Sequence, residues 1–108
     1  MIEDTLHKLE ARLKKSKNLT AENRLALQDL IQNLRLQIDD LEDEDSAESI
    51  AGFTEASTRE ALRENQDQDL LDVALDGLQK STREFEASHP KLTSVVNNIC
   101  QQLSNLGI

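Results

Sequence analysis

The chain has no tryptophan, no tyrosine and only 2 phenylalanines. Ligand pockets are usually lined by aromatic rings, and RNA-binding modules stack bases on them. Both designs are disfavoured from the outset. The one cysteine, Cys100, permits no intrachain disulfide and no cysteine-clustered zinc site. The 3 glycines, Gly52, Gly77 and Gly107, stand far apart, so no glycine-rich loop cradles a phosphate. No apolar run approaches the roughly 18 residues of a membrane span. The acidic start, Met1-Ile2-Glu3-Asp4, lacks the basic flank and apolar core of a signal peptide. Strand signals are missing too, with 3 valines and no sustained period-two alternation. A lone thiol suits a reducing compartment. Together these absences predict a cytoplasmic all-α protein that is not an enzyme, uses no cofactor and does not associate with membranes.

Enough apolar material is present for a core. Leu, Ile, Val and Phe make up 29 of the 108 residues, above the roughly 20% below which high net charge usually means disorder. The length suits one small domain, residues 1–108. Ile2, Leu6, Leu9 and Leu13 recur on one helical face, with Glu3 and Asp4 at the start and Lys14, Lys15 and Lys17 at the end, as the helix dipole favours. Asn18 suits a left-handed terminator, and Thr20 the N-cap of a second helix from about Ala21 to Leu41. That helix carries the stripe Leu27, Ile31, Leu34, Ile38 and Leu41, with Leu30 at its margin. Leu25 and Leu36 project from nearly the opposite side. They are either stray exposed leucines or a second contact face.

From Asp39 to Glu48 seven residues in ten are acidic, and periodicity stops. Residues 42–56 therefore read as a flexible acidic linker, with Ser57 and Glu60 as a capping box for a short helix through Leu62. A third helix follows from about Asp67 to Ala87, with Leu71, Leu75, Leu78 and Phe85 on one face, Ala74 at its edge and Thr82 filling the gap. Gly77 in its interior either permits close approach of a neighbour or is merely tolerated. Ser88-His89-Pro90 breaks the chain and restarts it, proline being favoured at a first helical position. The last helix carries Leu92, Val95, Val96, Ile99, Leu103 and Leu106, with Cys100 on its flank and Gly107 at its stop. The expected architecture is two helical hairpins joined by the linker, forming a bundle.

Charge is unevenly placed. Residues 37–76 hold two basic and fourteen acidic side chains, against a net of +2 before them and +1 after. Beyond Glu86 only Lys91 is charged, and the polar positions of the last helix are amides and hydroxyls. Such groups can be buried when paired, whereas Lys and Glu resist leaving water. The interface candidates are therefore Leu25, Leu36, Leu92, Val95, Val96, Ile99, Leu103 and Leu106, either within the bundle or between two copies. The expectation is a homodimer, with an unidentified protein partner as a further option.

Glu86-Ala87-Ser88-His89 has the Glu-x-x-His spacing of di-iron bundles, but those need two such motifs, and Pro90 makes this one a helix boundary. A metal- or ligand-binding bundle using Glu86 and His89 is an alternative function. A calcium loop starting at Asp43 fails, with Glu48 where glycine is required and Thr54 where the bidentate glutamate belongs. Lys8, Arg12, Lys14, Lys15 and Lys17 form a basic end, yet the chain is strongly acidic and no aromatic lies nearby. Nucleic acid is not the expected partner. Pairing with the acidic middle is expected instead. A second alternative function is an acidic protein that binds a basic partner surface through Asp39–Glu48.

Phe85 to Leu92 reads FEASHPKL, and the chain ends LSNLGI. In these two stretches it resembles the bacterial domain-of-unknown-function family 4404, short acidic helical proteins with a Phe-Glu-x-x-His-Pro junction and a terminal Gly-Ile. The resemblance implies a bacterial, all-helical protein with no assigned activity, and supplies no catalytic residues. Phe85, His89 and Pro90 are read as a structural junction: an apolar plug, a cap and a helix start.

Overall fold

Residues 2–106 are described by a computed structural model. Within them lie five α-helices, one more than the sequence suggested, and no strand. They are α1 (Ile2–Lys15), α2 (Ala21–Asp39), α3 (Glu44–Ala61), α4 (Gln68–Thr82) and α5 (Pro90–Leu106), with a short 3-10 turn at Arg83–Phe85.

α1 buries Leu6, Leu9 and Leu13 completely, the stripe its spacing predicts. Its C-terminal carbonyls are satisfied by Arg24 from α2. The guanidinium donates to the oxygens of Leu13, Ser16 and Leu19, at 2.9 Å for Ser16 and 3.4 Å for Leu19. Thr20 caps α2 as expected, its hydroxyl accepting from the Asn23 N–H at 3.1 Å. Asn18 does not take a left-handed conformation, and no non-glycine residue described here does. Its side-chain amide instead donates to the Leu62 carbonyl at 3.0 Å, capping the far end of α3.

The expected flexible linker over 42–56 is overturned, because α3 occupies it from Glu44 onward. Asp43 is the N-cap, accepting from the Asp45 N–H at 3.0 Å and from the Ser46 hydroxyl at 2.8 Å. Glu44 and Asp45 then sit in the first turn, where the dipole welcomes negative charge. The acidic run is thus a helix start. α3 buries Ala47, Ile50, Ala51, Thr54, Ser57, Thr58 and Ala61. Ser57 and Glu60 form no capping box, since both lie inside α3 and Ser57 faces the core.

α4 starts on Asp67, whose carboxylate accepts from the N–H groups of Asp69 and Leu70. It buries Leu71, Leu75, Leu78 and Thr82, then tightens into the 3-10 turn, ending earlier than the predicted Ala87. Gly77 serves close approach. A Cβ there would lie 2.5 Å from the ring of Phe53 on α3. α5 begins at Pro90, and its expected stop at Gly107 lies outside the described residues.

The helices close a circuit. α1 packs on α2 and α3, α2 on α5, α5 on α4, and α4 on α3, while α3 also reaches across to α5. One hydrophobic cluster draws on all five. The molecule is 36 Å long and 25 by 22 Å across, with a radius of gyration of 12.8 Å, as expected at about 13 Å for this length. One end gathers the α1–α2 and α3–α4 turns and the end of α5, tied by Asn18 to Leu62 and by Gln66 to the Leu106 carbonyl at 3.1 Å. The other gathers the start of α3 and the end of α4.

Candidate functional site

A groove of about 750 Å³ opens between α1 and the end of α3. Lys8, Arg12, Lys15, Lys17, Arg59 and Arg63 line it, half of the chain's 12 basic side chains, with Ala11 and Leu62 supplying apolar surface. Part of this gathering is helix physics, because cations favour the C-terminal ends of α1 and α3. The arginines are tethered. Arg12 Nη2 lies 3.2 Å from Glu55 Oε1, and Arg59 Nη1 3.7 Å from Glu55 Oε2. Arg63 Nη1 lies 2.9 Å from Glu60 Oε1. The basic end does pair with the acidic middle, as the Arg12–Glu55 bridge shows. Lys8, Lys15 and Lys17 enter no ion pair among the described residues. Arg12 Nε is buried without a hydrogen-bond partner. Sequence reading found the α1 half of this groove. It missed Arg59 and Arg63, whose four-residue spacing becomes meaningful only once α3 is a helix.

The interface candidates separate into two groups. Leu92, Val95, Val96, Ile99 and Leu103 are at most 5% exposed, and Leu106 is partly buried against the same cluster. The apolar face of the last helix packs inside its own bundle, which takes up Leu92, Val95, Val96, Ile99 and Leu103, while its uncharged polar face, with Ser94, Asn97, Asn98, Gln101 and Asn105, is exposed. Leu25 and Leu36 stand 61% and 65% exposed, opposite the buried stripe of α2. A second exposed apolar group, Phe53, Leu70 and Val73, lies on α3 and α4.

Phe85 is partly buried against the core, its ring edge-on to His89 at a centroid distance of 5.7 Å. His89 caps α5 with its backbone, the carbonyl accepting from the N–H groups of Leu92 and Thr93 and from the Thr93 hydroxyl. The ring Nδ1 lies 2.9 Å from the Ser88 hydroxyl. Glu86 is exposed. Among the described residues no three His, Cys, Asp or Glu side chains are grouped to hold a metal. The alternative based on Glu86 and His89 therefore gains no third donor. Cys100 is buried, and that burial pushes its thiol up to about 11, far from the thiolate a nucleophile needs. Asp43 is held below the usual carboxylate range, chiefly by the Ser46 hydroxyl and then by the Ser46 and Asp45 N–H groups. No described helix is long and apolar enough to cross a membrane.

The junction and the three helices around it carry a recognisable pattern. The family model for a domain of unknown function, DUF4404, matches residues 42–108, more than half of the chain. The chain belongs to the DUF4404 family. The matched part contains α3, α4, the Phe85–Pro90 junction and α5, while α1 and α2 precede it. No curated protein and no solved structure matches this DUF4404 chain.

Proposed function

We propose that this DUF4404 protein is a non-enzymatic interaction module that works as a homodimer in the bacterial cytoplasm and meets its second copy through α2. The observation that carries the reading is the pair Leu25 and Leu36. Each is more than three-fifths exposed, and eleven residues put them about 20° apart around the helix and about 16 Å apart along it. Gln28, Asp29 and Gln32 lie between them on the same side. Such a strip of leucine and amide can be buried when its polar groups are paired. The absence of a reaction is supported by the site chemistry above. Burial of Cys100 disfavours its thiolate, and His89 serves α5 by capping it through its backbone carbonyl.

Sedimentation of the purified protein at high micromolar concentration tests this. The expected species is a dimer, and Leu25→Glu/Leu36→Glu yields a monomer with unchanged helical circular dichroism, because neither leucine belongs to the core. A monomeric wild type, or a variant that dimerises as tightly, overturns the proposal.

A further inference from the structure

We infer that the basic groove between α1 and α3 receives the acidic α2–α3 turn of a second copy of this chain. The inference rests on the self-association reading and adds to it the orientation of the two copies and a second contact surface.

The groove brings together half of the cations of a chain whose net charge is −9. Lys8, Lys15 and Lys17 are left without an internal carboxylate partner among the described residues, and Arg12 Nε is buried with no acceptor. The complementary surface is on the same molecule, at its other end. Asp39, Asp40, Glu42, Asp43, Glu44 and Asp45 are all exposed, and none of the ion pairs among the described residues includes any of them. Six carboxylates without an ion-pair partner among the described residues thus stand at one end of a 36 Å molecule and a cationic groove at the other. α2 is the element that spans them, its 19 residues covering about 28 Å from the α1–α2 turn to the acidic turn.

A single molecule cannot bring its own ends together. Two copies lying antiparallel do so twice, each turn entering the other copy's groove, and the pair is closed by a two-fold axis. In that arrangement α2 faces α2, and Leu25, near the basic end, meets Leu36 of the second copy, near the acidic end. Parallel pairing would set acidic turn beside acidic turn and is repelled. At the basic end Glu22, Glu64, Asp67 and Asp69 oppose the contact and Arg12, Arg59 and Arg63 are already held by Glu55 and Glu60, so the attraction rests on Lys8, Lys15 and Lys17 beside the groove. Phosphate-bearing ligands would also suit cations, but only the second copy accounts for both ends at once.

The test is a charge exchange read by sedimentation in low and moderate salt. Lys15→Glu/Lys17→Glu cancels the positive excess of the groove, and Asp40→Lys/Glu42→Lys reduces the six-carboxylate turn from −6 to −2. All four side chains are exposed and outside the internal ion pairs. Each variant alone is expected to associate at least roughly tenfold more weakly than wild type, while an equimolar mixture recovers a heterodimer, and added salt weakens wild-type dimers. If the Leu25→Glu/Leu36→Glu variant is monomeric but both charge variants dimerise normally, or the mixture does not associate, this inference fails and the self-association reading stands. A wild type that never dimerises removes both. Binding of a short inorganic polyphosphate that is lost in Lys15→Glu/Lys17→Glu, with dimerisation of both charge variants unchanged, gives the groove to a phosphate-bearing ligand and overturns the inference.

Discussion

Thr54 and Thr58 are 0% and 2% exposed, although both carry hydroxyls. Each turns its oxygen back one helical turn, Thr54 donating to the Ile50 carbonyl at 2.7 Å and Thr58 to the Thr54 carbonyl at 2.8 Å. With the polar atom satisfied inside its own helix, the methyl group is left to pack. Ser57, between them, is also fully buried, but its hydroxyl has no hydrogen-bond partner. A buried hydroxyl that gains nothing in return costs on the order of 1–3 kcal/mol. Ser57→Ala removes that cost, leaves no cavity larger than one oxygen, and adds a better helix former. The expected result is a stabilisation of about 1 kcal/mol, read as a higher urea midpoint at unchanged slope. A midpoint that stays or falls would show that the hydroxyl is satisfied after all.

At the scale of the helix, the seam between α3 and α4 is set by one small residue. Gly77 costs α4 about 1 kcal/mol against alanine, and the Phe53 ring lies where its Cβ would be. The gain in helix propensity and the loss of ring contact should therefore be coupled. Gly77→Ala is expected to stabilise by about 1 kcal/mol when Phe53 is already alanine, and to lose or reverse that gain when the ring is present. A urea double-mutant cycle measures the difference. Equal effects in both backgrounds would mean that the ring moves aside freely. This seam also shows why the sequence was legible in some places and not in others. α1, α2, α4 and α5 announce themselves through Leu, Ile and Val at three- and four-residue steps. α3 has the same period, but it is written in Ala47, Ala51, Thr54, Ser57, Thr58 and Ala61, with Ile50 as its one large buried side chain. Those residues are buried because α3 is thin enough to sit against three neighbours, a reason found in tertiary packing and not in hydropathy. Arg59 and Arg63 were hidden with it, so half of the basic groove could not be read. The pale α5 was legible as a packed helix through its apolar stripe, but its lack of charge did not mark a buried face, since Ser94, Asn97, Asn98, Gln101 and Asn105 are exposed.

For the molecule as a whole, the family match and the fold do not share a boundary. The match begins at residue 42, whereas α1 covers α3 and α2 covers α5. Leu6, Leu9, Leu13, Leu27, Ile31, Leu34 and Ile38 are all at most 2% exposed in those contacts. A segment of residues 42–108 expressed alone would uncover the opposite faces of both contacts, an apolar loss well beyond what a small domain can spare. Its expected behaviour is reduced helical circular dichroism and rapid amide exchange relative to the whole chain. A fragment as protected as the full-length protein would show that α1 and α2 are an addition to a self-sufficient three-helix unit.

The pairing of α2 with α5 has a consequence for how the chain comes into being. A ribosome delivers α2 long before it delivers α5, so the stripe from Leu27 to Ile38 waits through the synthesis of about fifty further residues, some seconds at ordinary elongation rates, with α1 as its only cover. The nascent hairpin therefore keeps one apolar side uncovered until the final helix arrives to close it.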